Sequence, residues 1–291
     1  MAAMARMPFA KYQALGNDFV IVESLGEFRS KSRAESPRTS NATERLSVRA
    51  IQKLGDRRLG IGFDQLLVVR TLSHAQVELT IFNADGSRAR NCGNGLRAVG
   101  AYFFDTRKWR STRVCYAAGM SDVEVLGRKK DTFDVQATMP RGQVRDLALK
   151  NAKFCSVGNP HVVVEVHGGP AALDRAFESQ APRLARKRFF GQFCNIEFVA
   201  RHPRVRARVP ARVRARVRVQ ARARLMVRVF ERGVGETLAC GSGAVAVASV
   251  TGVPATIDFP GGRLEVRQKT SSASEEVTLR GAVVHVFSGT I

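Results

Sequence analysis

Apolar runs that end at glycine-containing turns occur in the same order in both halves of the chain. In each half a run rich in β-branched residues follows a Gly-Asn turn and predicts a buried strand, at 20–23 and at 162–166. A later run ends at a phenylalanine and predicts another strand, at 77–82 and at 225–230. Further short runs of the same kind predict strands at 114–116, 123–126, 256–259 and 283–287.

The helical signal is also duplicated. An apolar run of small residues follows a cysteine at 96–104 and again at 244–250, and predicts a buried helix in each half. The tetrapeptide CGNG that begins at Cys92 recurs as CGSG beginning at Cys240, 148 positions later. Similarly, LGNDFVIVE recurs as VGNPHVVVE with a shift of 142 positions. Matches that keep their order indicate an internal duplication.

The duplication predicts an α+β (or α/β) protein of two similar domains, residues 1–147 and 148–291. The segment 29–45 is polar, lacks large apolar residues and predicts a loop or a disordered insert in the first domain. The segment 201–224 alternates arginine with valine or alanine over most of its length, a period-2 pattern typical of a strand. The last strand is a candidate to cross back into the first domain.

Composition changes the picture through its charge. The formal net charge is +22, which is typical of proteins that bind nucleic acid or anionic membrane surfaces. Ten of these charges come from arginines within 201–224, so the excess is largely local. Five cysteines without a CxxC pair argue against a disulfide framework and a structural zinc site. The uncharged run 237–257 contains glycines and a proline, which favours a buried helix over a membrane span. We therefore expect a cytoplasmic protein without a metal.

The two cysteines that precede the predicted helices are the strongest candidates for chemistry. A helix N-terminus lowers the pKa of a thiol and binds anions such as carboxylates. A structural role as small buried residues is the alternative for Cys92 and Cys240. Two thiols, one in each half, suit a reaction that removes a proton from one face of a carbon and returns one to the other. Asparagines that could stabilise the developing charge are Asn17, Asn83, Asn94, Asn159 and Asn195.

Several motifs together resemble the diaminopimelate epimerase family: GNDFVIVE, GIGFDQLLVV, FNADGS, NCGNGLRAVG, VGNPHVVV, NIEFV, ERGVGETLACGSGA and the final VHVF. The resemblance extends from Phe9 to the C-terminus apart from the two inserts. It implies a cofactor-independent, metal-free epimerase that interconverts LL- and meso-2,6-diaminopimelate for lysine and peptidoglycan synthesis. It also implies a homodimer, and domains that each form a curved β-sheet around a central helix, with the active site in the cleft between them.

The resemblance also implies roles for individual residues. Cys92 and Cys240 match the thiols that act as base and acid, and His161 and Glu231 match positions that tune them. The positions that match contacts to the substrate are Asn17, Gln65, Asn83, Gly93, Asn94, Asn159, Asn195, Glu231, Arg232, Gly241 and Ser242. The remaining cysteines, Cys115, Cys155 and Cys194, are predicted to be structural, although the family more often has a hydroxyl residue at position 194.

Three other functions remain open at this stage. A related racemase would use the same thiols on a different amino acid. A degenerate epimerase fold would bind nucleic acid through 201–224, without sequence preference because the segment lacks aromatic residues. A thiol hydrolase would use one cysteine with His161 and would leave the second cysteine motif unexplained.

Overall fold

A computed structural model describes residues 7–24, 47–202, 223–269 and 275–291. The predicted insert 29–45 and all but the ends of the arginine-rich segment 201–224 lie outside these residues. The chain divides into two compact units. The first comprises Met1–Thr138 with Arg280–Ile291, and the second comprises Met139–Leu279.

Within its described residues, the first part of the chain contains eight strands and two helices. In chain order they are β1 (Pro8–Ala14), β2 (Asn17–Glu23), α1 (Val48–Gly55), β3 (Gln65–Ser73), β4 (Gln76–Asn83), β5 (Arg88–Ala89), α2 (Gly93–Arg107), β6 (Ser111–Tyr116), β7 (Gly119–Lys129) and β8 (Thr132–Pro140). The Ser47 hydroxyl caps α1 by accepting from the Ala50 amide at 3.2 Å. Helix α2 ends at Lys108, which adopts the left-handed conformation with φ of 60°.

The described residues of the rest of the chain repeat most of this succession and add short strands. In chain order the elements are β9 (Gln143–Asp146), β10 (Ala152–Ser156), β11 (Pro160–Val166), α3 (Pro170–Ala185), β12 (Arg188–Phe189), β13 (Gln192–Phe193), β14 (Asn195–Arg201), β15 (Ala223–Glu231), β16 (Gly235–Thr237), α4 (Gly241–Thr251), β17 (Ala255–Phe259), β18 (Gly262–Gln268) and β19 (Glu276–Thr290). Pro170 occupies the first turn of α3, where its missing N–H costs nothing.

The strands of the first unit form a closed ring around α2. Strand β1 pairs antiparallel with β2, β2 pairs parallel with β3, β3 antiparallel with β4, and β4 parallel with β6. Strands β6, β7 and β8 continue antiparallel. Strand β19 pairs with both β8 and β1, so that the last strand closes the ring. Helix α2 packs against β1, β2, β3, β6 and β7 and is therefore the central helix of this unit.

The second unit pairs its strands in the same senses. Strands β10 and β11 are antiparallel, β11 and β14 parallel, β14 and β15 antiparallel, β15 and β17 parallel, and β17 and β18 antiparallel. Helix α4 packs against β9, β10, β11, β14 and β18. The identical sequence of pairings confirms the predicted α+β architecture of two similar domains, each a sheet around a central helix.

The first parallel connection of each unit, between β2 and β3 and between β11 and β14, places a second helix against the sheet. In the first unit Ile51 of α1 is buried with Val20, Leu66 and Phe63. In the second unit Leu173 and Phe177 of α3 are buried in one cluster with Ile196 and Phe198 of β14. Each crossover helix thus covers a strand face that would otherwise expose apolar side chains.

The second unit begins at Met139. Strand β9 pairs with β10, which places residues 143–146 in the second unit. None of the helices in the described part of the chain has the length and apolar character needed to span a membrane.

Candidate active site

Cys92 lies directly before α2 and acts as its N-cap. Its backbone is extended, with φ of −152°, and its Sγ accepts from the Gly95 amide at 3.3 Å. Gly93 and Asn94, the first two residues of the helix, are buried. The thiol is therefore held where the first amides of a helix carry a partial positive charge and lack intrahelical acceptors.

Amide side chains surround this first thiol. The Cys92 Sγ lies 3.8 Å from the Asn17 Oδ1, and the Asn94 Nδ2 donates to the same oxygen at 3.5 Å. The Asn17 Nδ2 in turn donates to the Asp64 Oδ2 at 2.8 Å. Asp64 is half-exposed and forms an ion pair with Arg57. Of the predicted residues of the first unit, Asn17, Cys92 and Asn94 are thus in mutual contact.

Gln65 and Asn83 form a second polar cluster in this unit. The Gln65 Nε2 donates to the Asn83 Oδ1 at 3.0 Å, and the Asn83 Nδ2 donates to the Ser87 Oγ at 3.0 Å. The two residues are opposite each other on β3 and β4, because Gln65 and Asn83 are register partners. Gln65 is the first residue of β3 and Asn83 is the last residue of β4, so both amides lie where the apolar run of the strand stops.

Cys240 occupies the corresponding position in the second unit. It is the N-cap of α4, and its Sγ accepts from the Gly243 amide at 3.3 Å. Gly241 and Ser242 begin the helix, and the Ser242 Oγ lies 3.5 Å from the Cys240 Sγ. Cys240 is more deeply buried than Cys92. Burial is the main cause that raises the pKa of Cys240 well above the ordinary value, and the neighbouring Glu231 and Glu197 raise it further.

A chain of polar contacts links Cys240 to a buried carboxylate. The Asn159 Nδ2 donates to the Ser242 Oγ at 3.1 Å, and the Asn159 Oδ1 lies 3.1 Å from the His161 Nε2. The His161 Nδ1 lies 2.7 Å from the Glu197 Oε1. His161 and Glu197 are both 0% exposed. These two contacts fix the orientation of the imidazole ring.

Glu231, Arg232 and Asn195 complete the predicted residues of the second unit. The Thr237 hydroxyl donates to the Glu231 Oε1 at 2.6 Å, and burial raises the pKa of Glu231 above its ordinary value. The Asn195 Oδ1 accepts from the Arg232 backbone amide at 2.9 Å. The side chain of Arg232 remains partly exposed and reaches the Phe193 carbonyl at 3.4 Å.

Two charged residues at these sites were not predicted from the sequence. Arg97 on α2 is 0% exposed and donates to the Asn94 Oδ1 at 2.9 Å and to the Gly93 carbonyl at 3.3 Å. Glu197 on β14 contacts His161 as described. Both stand as single charges inside apolar runs, Leu96 to Val99 and Ile196 to Val199, and a lone charge in such a run is the signal that identifies them.

Each unit places a thiol at the N-terminus of a helix. A side-chain amide contacts the thiol itself in the first unit and the neighbouring Ser242 in the second, and such a helix end can bind a carboxylate. Among the described residues no group of three or more His, Cys, Asp or Glu side chains is arranged to hold a metal ion.

The other cysteines are not part of the contacts of Cys92 and Cys240 described above, although the charge of Glu197 adds to the effect of burial on Cys155 and Cys194. Burial raises the pKa of Cys155 to about 12 and that of Cys194 to about 11. Cys115 is half-buried on β6, where its sulfur accepts from the Gln76 amide at 3.6 Å. A high thiol pKa means that Cys155 and Cys194 remain protonated at neutral pH, which agrees with structural roles.

The family model and the curated relative that match this chain carry the same family name. The sequence model of the family described as diaminopimelate epimerase matches residues 9–142 and 154–286. A curated protein named diaminopimelate epimerase from Azotobacter vinelandii is 29% identical, and the match covers 97% of this chain and 98% of that protein.

Solved structures show the same fold at lower identity. A phenazine biosynthesis protein of the PhzF family from Bacillus anthracis superposes with a TM-score of 0.65 at 15% identity, covering 99% of each chain. A hydroxyproline epimerase from Agrobacterium vitis, solved with bound trans-4-hydroxy-L-proline, superposes with a TM-score of 0.63 at 11% identity. That match covers 100% of this chain and 92% of the other. At these identities the likeness concerns the fold alone.

Proposed function

We propose, on the premise that the chain belongs to the diaminopimelate epimerase family, that it interconverts LL- and meso-2,6-diaminopimelate. Family membership makes the protein an isomerase, an epimerase or a related racemase. The name of the curated relative and the presence of both NCGNG and ERGVGETLACGSG in one chain support the finer assignment of the substrate.

The observation that carries the proposal is the matched pair of N-capping cysteines. In the proposed reaction the thiolate of one cysteine takes the proton from Cα, and the electrons of the C–H bond remain on the substrate as a carbanion. The thiol of the other cysteine then delivers its proton to the opposite face and is left as a thiolate. One proton is removed and one is returned, so the step balances without a co-reactant.

The helix ends address the low acidity of the Cα proton. Negative charge that develops next to the substrate carboxylate is stabilised by donors that are already in position. We assign this task to the first amides of α2 and α4, at Gly93, Asn94, Gly241 and Ser242. Such pre-positioned donors are more effective than water because they do not have to reorient during the reaction.

The remaining predicted residues are assigned to substrate binding and to tuning of the thiols. His161 and Glu231 are proposed to set the protonation of Cys240, since the charge of Glu231 acts on that thiol. The residues proposed to hold polar groups of the substrate are Asn17, Gln65, Asn83, Asn159, Asn195, Glu231 and Arg232. Arg232 suits a second carboxylate, because a guanidinium binds a carboxylate through two parallel hydrogen bonds.

Solvent deuterium exchange at Cα of diaminopimelate tests the proposal directly. The wild-type protein is expected to epimerise the substrate in deuterium oxide and to place deuterium at Cα. Cys92→Ser and Cys240→Ser should each lower turnover by about 10²- to 10⁴-fold, the range typical of a lost acid or base. Cys115→Ser serves as the matched control and should retain wild-type turnover. Full turnover in either Cys92→Ser or Cys240→Ser would refute the two-thiol reaction.

A related racemase with another substrate is the second candidate, and the fold match to a hydroxyproline epimerase favours keeping it. A panel containing diaminopimelate, proline, hydroxyproline and lysine separates the two. Highest kcat/KM for diaminopimelate supports the first proposal, whereas preference for a cyclic imino acid supports the second. We also propose a cytoplasmic homodimer, which light scattering after gel filtration of the purified protein and fractionation of cells would test.

A further inference from the structure

The orientation of the Asn17 amide is fixed by a carboxylate that is not among the predicted site residues. The Asp64 Oδ2 accepts from the Asn17 Nδ2 at 2.8 Å and from the Asp18 backbone amide at 3.1 Å. An ionised carboxylate only accepts hydrogen bonds, so the NH2 end of the Asn17 amide must face Asp64. The carbonyl end therefore points the other way, where the Asn17 Oδ1 lies 3.8 Å from the Cys92 Sγ.

The Asn94 amide is fixed in the same manner by a cation. The Asn94 Oδ1 accepts from the Arg97 guanidinium at 2.9 Å, and Arg97 also donates to the Gly93 carbonyl at 3.3 Å. A guanidinium only donates, so the Asn94 carbonyl faces Arg97 and its NH2 group is left to face Asn17. The Asn94 Nδ2 reaches the Asn17 Oδ1 at 3.5 Å. Two side-chain amides thus lie in series between a group that can only donate and a group that only accepts.

Reversing either amide would bring like ends together. A reversed Asn17 would place its carbonyl oxygen against the Asp64 carboxylate and its NH2 group against the NH2 group of Asn94. Hydrogen bonds to charged groups contribute more than neutral ones, and a buried polar group that loses its partner is destabilising. Asn94 is 1% exposed and Arg97 is 0% exposed, so water does not replace a lost partner at that end. The contacts therefore select one orientation of each amide.

Asp64 is itself held from two directions. Its backbone amide donates to the Asp18 Oδ1 at 2.9 Å, and its Oδ1 pairs with the Arg57 guanidinium at 2.7 Å. Arg57 also donates twice to the Asp18 carboxylate, at 2.9 and 2.8 Å, and Lys11 pairs with Asp18 at 3.0 Å. Because Asp18 contacts Asp64 through both its backbone amide and its carboxylate, Asp64 keeps these contacts when Arg57 is replaced.

The second unit has neither charge at the matching positions. Cys194 stands at the position of Asp64, since each residue directly precedes the strand that follows the crossover helix of its unit. Val245 stands at the position of Arg97, because each lies five residues after the cysteine that caps its helix. The shared backbone plan therefore does not require these two charges, and their presence in the first unit needs a local reason.

We propose that Asp64 and Arg97 are positioning residues that act through the side chains of Asn17 and Asn94. They keep the Asn17 carbonyl oxygen directed toward Cys92 and the Asn94 NH2 group directed toward Asn17. The catalytic consequence rests on the proposed function, in which both asparagines hold polar groups of the substrate. The substrate then meets amides whose orientation is set before binding, which lowers the cost of ordering them.

The side-chain amide resonances of the nitrogen-labelled protein without substrate test the orientation of Asn17. Its pair of signals is identified by their loss in Asn17→Ala, and one proton should be strongly shifted because it donates to a carboxylate. Asp64→Ala is expected to remove that shift, and Asp64→Asn, which retains an acceptor oxygen, to keep most of it. Arg57→Gln is the matched control, since it removes the ion pair but not the Asn17 contact, and should leave the shift in place.

Two results would overturn the role of Asp64: an unshifted Asn17 pair in the wild type, or an unchanged pair in folded Asp64→Ala. If Asp64→Ala fails to fold, the wild type and Asp64→Asn still decide.

The same spectra test Arg97. Arg97→Met should displace the Asn94 side-chain resonances, and Arg97→Lys, which keeps a charged donor, should displace them less. Arg107→Met is the control, because it makes the same substitution at the far end of α2, where Arg107 is partly exposed and pairs with Glu23. Unchanged Asn94 resonances in folded Arg97→Met would contradict the proposal. If Arg97→Met fails to fold, unchanged resonances in Arg97→Lys would contradict it equally.

Turnover provides a readout that a purely structural role would not move. Asp64→Ala should lower kcat/KM for diaminopimelate about 10- to 100-fold, the range for a lost hydrogen bond to a charged group. In the Asn17→Ala background the same substitution should change kcat/KM by less than about threefold, because its target is already absent. No loss in Asp64→Ala, or equal losses in both backgrounds, would overturn the proposal. A wild type inactive on diaminopimelate would refute the proposed function alone, since the amide resonances still report the orientation.

Discussion

The buried contact between His161 and Glu197 provides a sharp test of the second unit. The His161 Nδ1 and the Glu197 Oε1 are 2.7 Å apart, and both side chains are fully buried. Glu197→Leu introduces the residue found at the counterpart position, Leu67, and leaves the imidazole Nδ1 buried without its partner. Leaving a buried hydrogen-bonding group without its partner costs about 1–3 kcal/mol.

That free energy converts into a large shift of the melting temperature. For a chain of this size, each kcal/mol lowers Tm by about 2–4 °C, so Glu197→Leu should lower Tm by roughly 2–12 °C. Glu78→Leu is the matched control, because Glu78 contacts Arg70 at the same distance of 2.7 Å but its side chain is 48% exposed. Exposed pairs are worth about 0–1 kcal/mol, so the control should shift Tm by at most a few degrees.

A second substitution, at His161, distinguishes the loss of a hydrogen-bond partner from poor packing of the new leucine at position 197. The first unit has Phe19 and Leu67 at the positions of His161 and Glu197. The double variant His161→Phe with Glu197→Leu therefore replaces the pair by the apolar pair that the same backbone plan accommodates elsewhere. Replacing both partners of a buried hydrogen bond by apolar groups of similar shape can be nearly neutral, so the double variant should recover to within about 1 kcal/mol of the wild type.

Differential scanning calorimetry and urea unfolding of the four proteins in the cycle would measure these effects. The expected coupling between the two substitutions is large, because they remove the same interaction. If the double variant is destabilised by the sum of the two single effects, the loss of the His161–Glu197 contact is not the cause of the lower stability. A Glu197→Leu shift no larger than that of Glu78→Leu would equally refute the reasoning.

Further predictions concern glycines, a buried acid, structural thiols and the arginine-rich segment. A Cβ on Gly243 would lie 2.6 Å from the Glu197 Oε1, whereas one on Gly95 would meet its neighbours at 3.4 Å or more. Gly243→Ala should therefore lower both Tm and turnover more than Gly95→Ala, and equal losses would contradict the contact. Burial raises the pKa of Glu231 above 4.5, so its contribution to stability is present below pH 4.5 and is lost as the pH rises through the folded value. Urea titrations should then show that the free energy of unfolding of Glu231→Gln rises relative to that of the wild type between pH 4.5 and neutral pH. A difference in unfolding free energy that stays constant with pH would refute this. In the native protein Cys155 and Cys194 should resist iodoacetamide at about pH 8 and react only after denaturation, whereas rapid native labelling would show that burial does not protect them. If 201–224 binds nucleic acid, affinity should fall steeply with salt and disappear when 204–224 is deleted, and binding that survives the deletion would exclude this segment as the site.

The sequence by itself determines much of this protein. Strand and helix positions follow from local periodicity, so the predicted helix at 96–104 is found within α2 and the one at 244–250 within α4. The duplication and the cysteine pair are equally visible, because repeated motifs at a fixed spacing require no knowledge of contacts. The placement of each cysteine at the start of a helix was predictable for the same reason, since the glycines and the apolar run that follow are local signals.

The tertiary structure alone decides which charges are buried beside the thiols. Arg97 and Glu197 each appear in the sequence as one charge among apolar neighbours, and such a charge can point to solvent or into the core. Their burial depends on strands that are distant in sequence, such as β11, which brings His161 against Glu197 on β14. The return of Arg280–Ile291 to the first unit is also a long-range event, since β19 pairs with β1 across almost the whole chain. Periodicity in the sequence reports local conformational preference, whereas burial and charge pairing arise only when segments distant in sequence pack together.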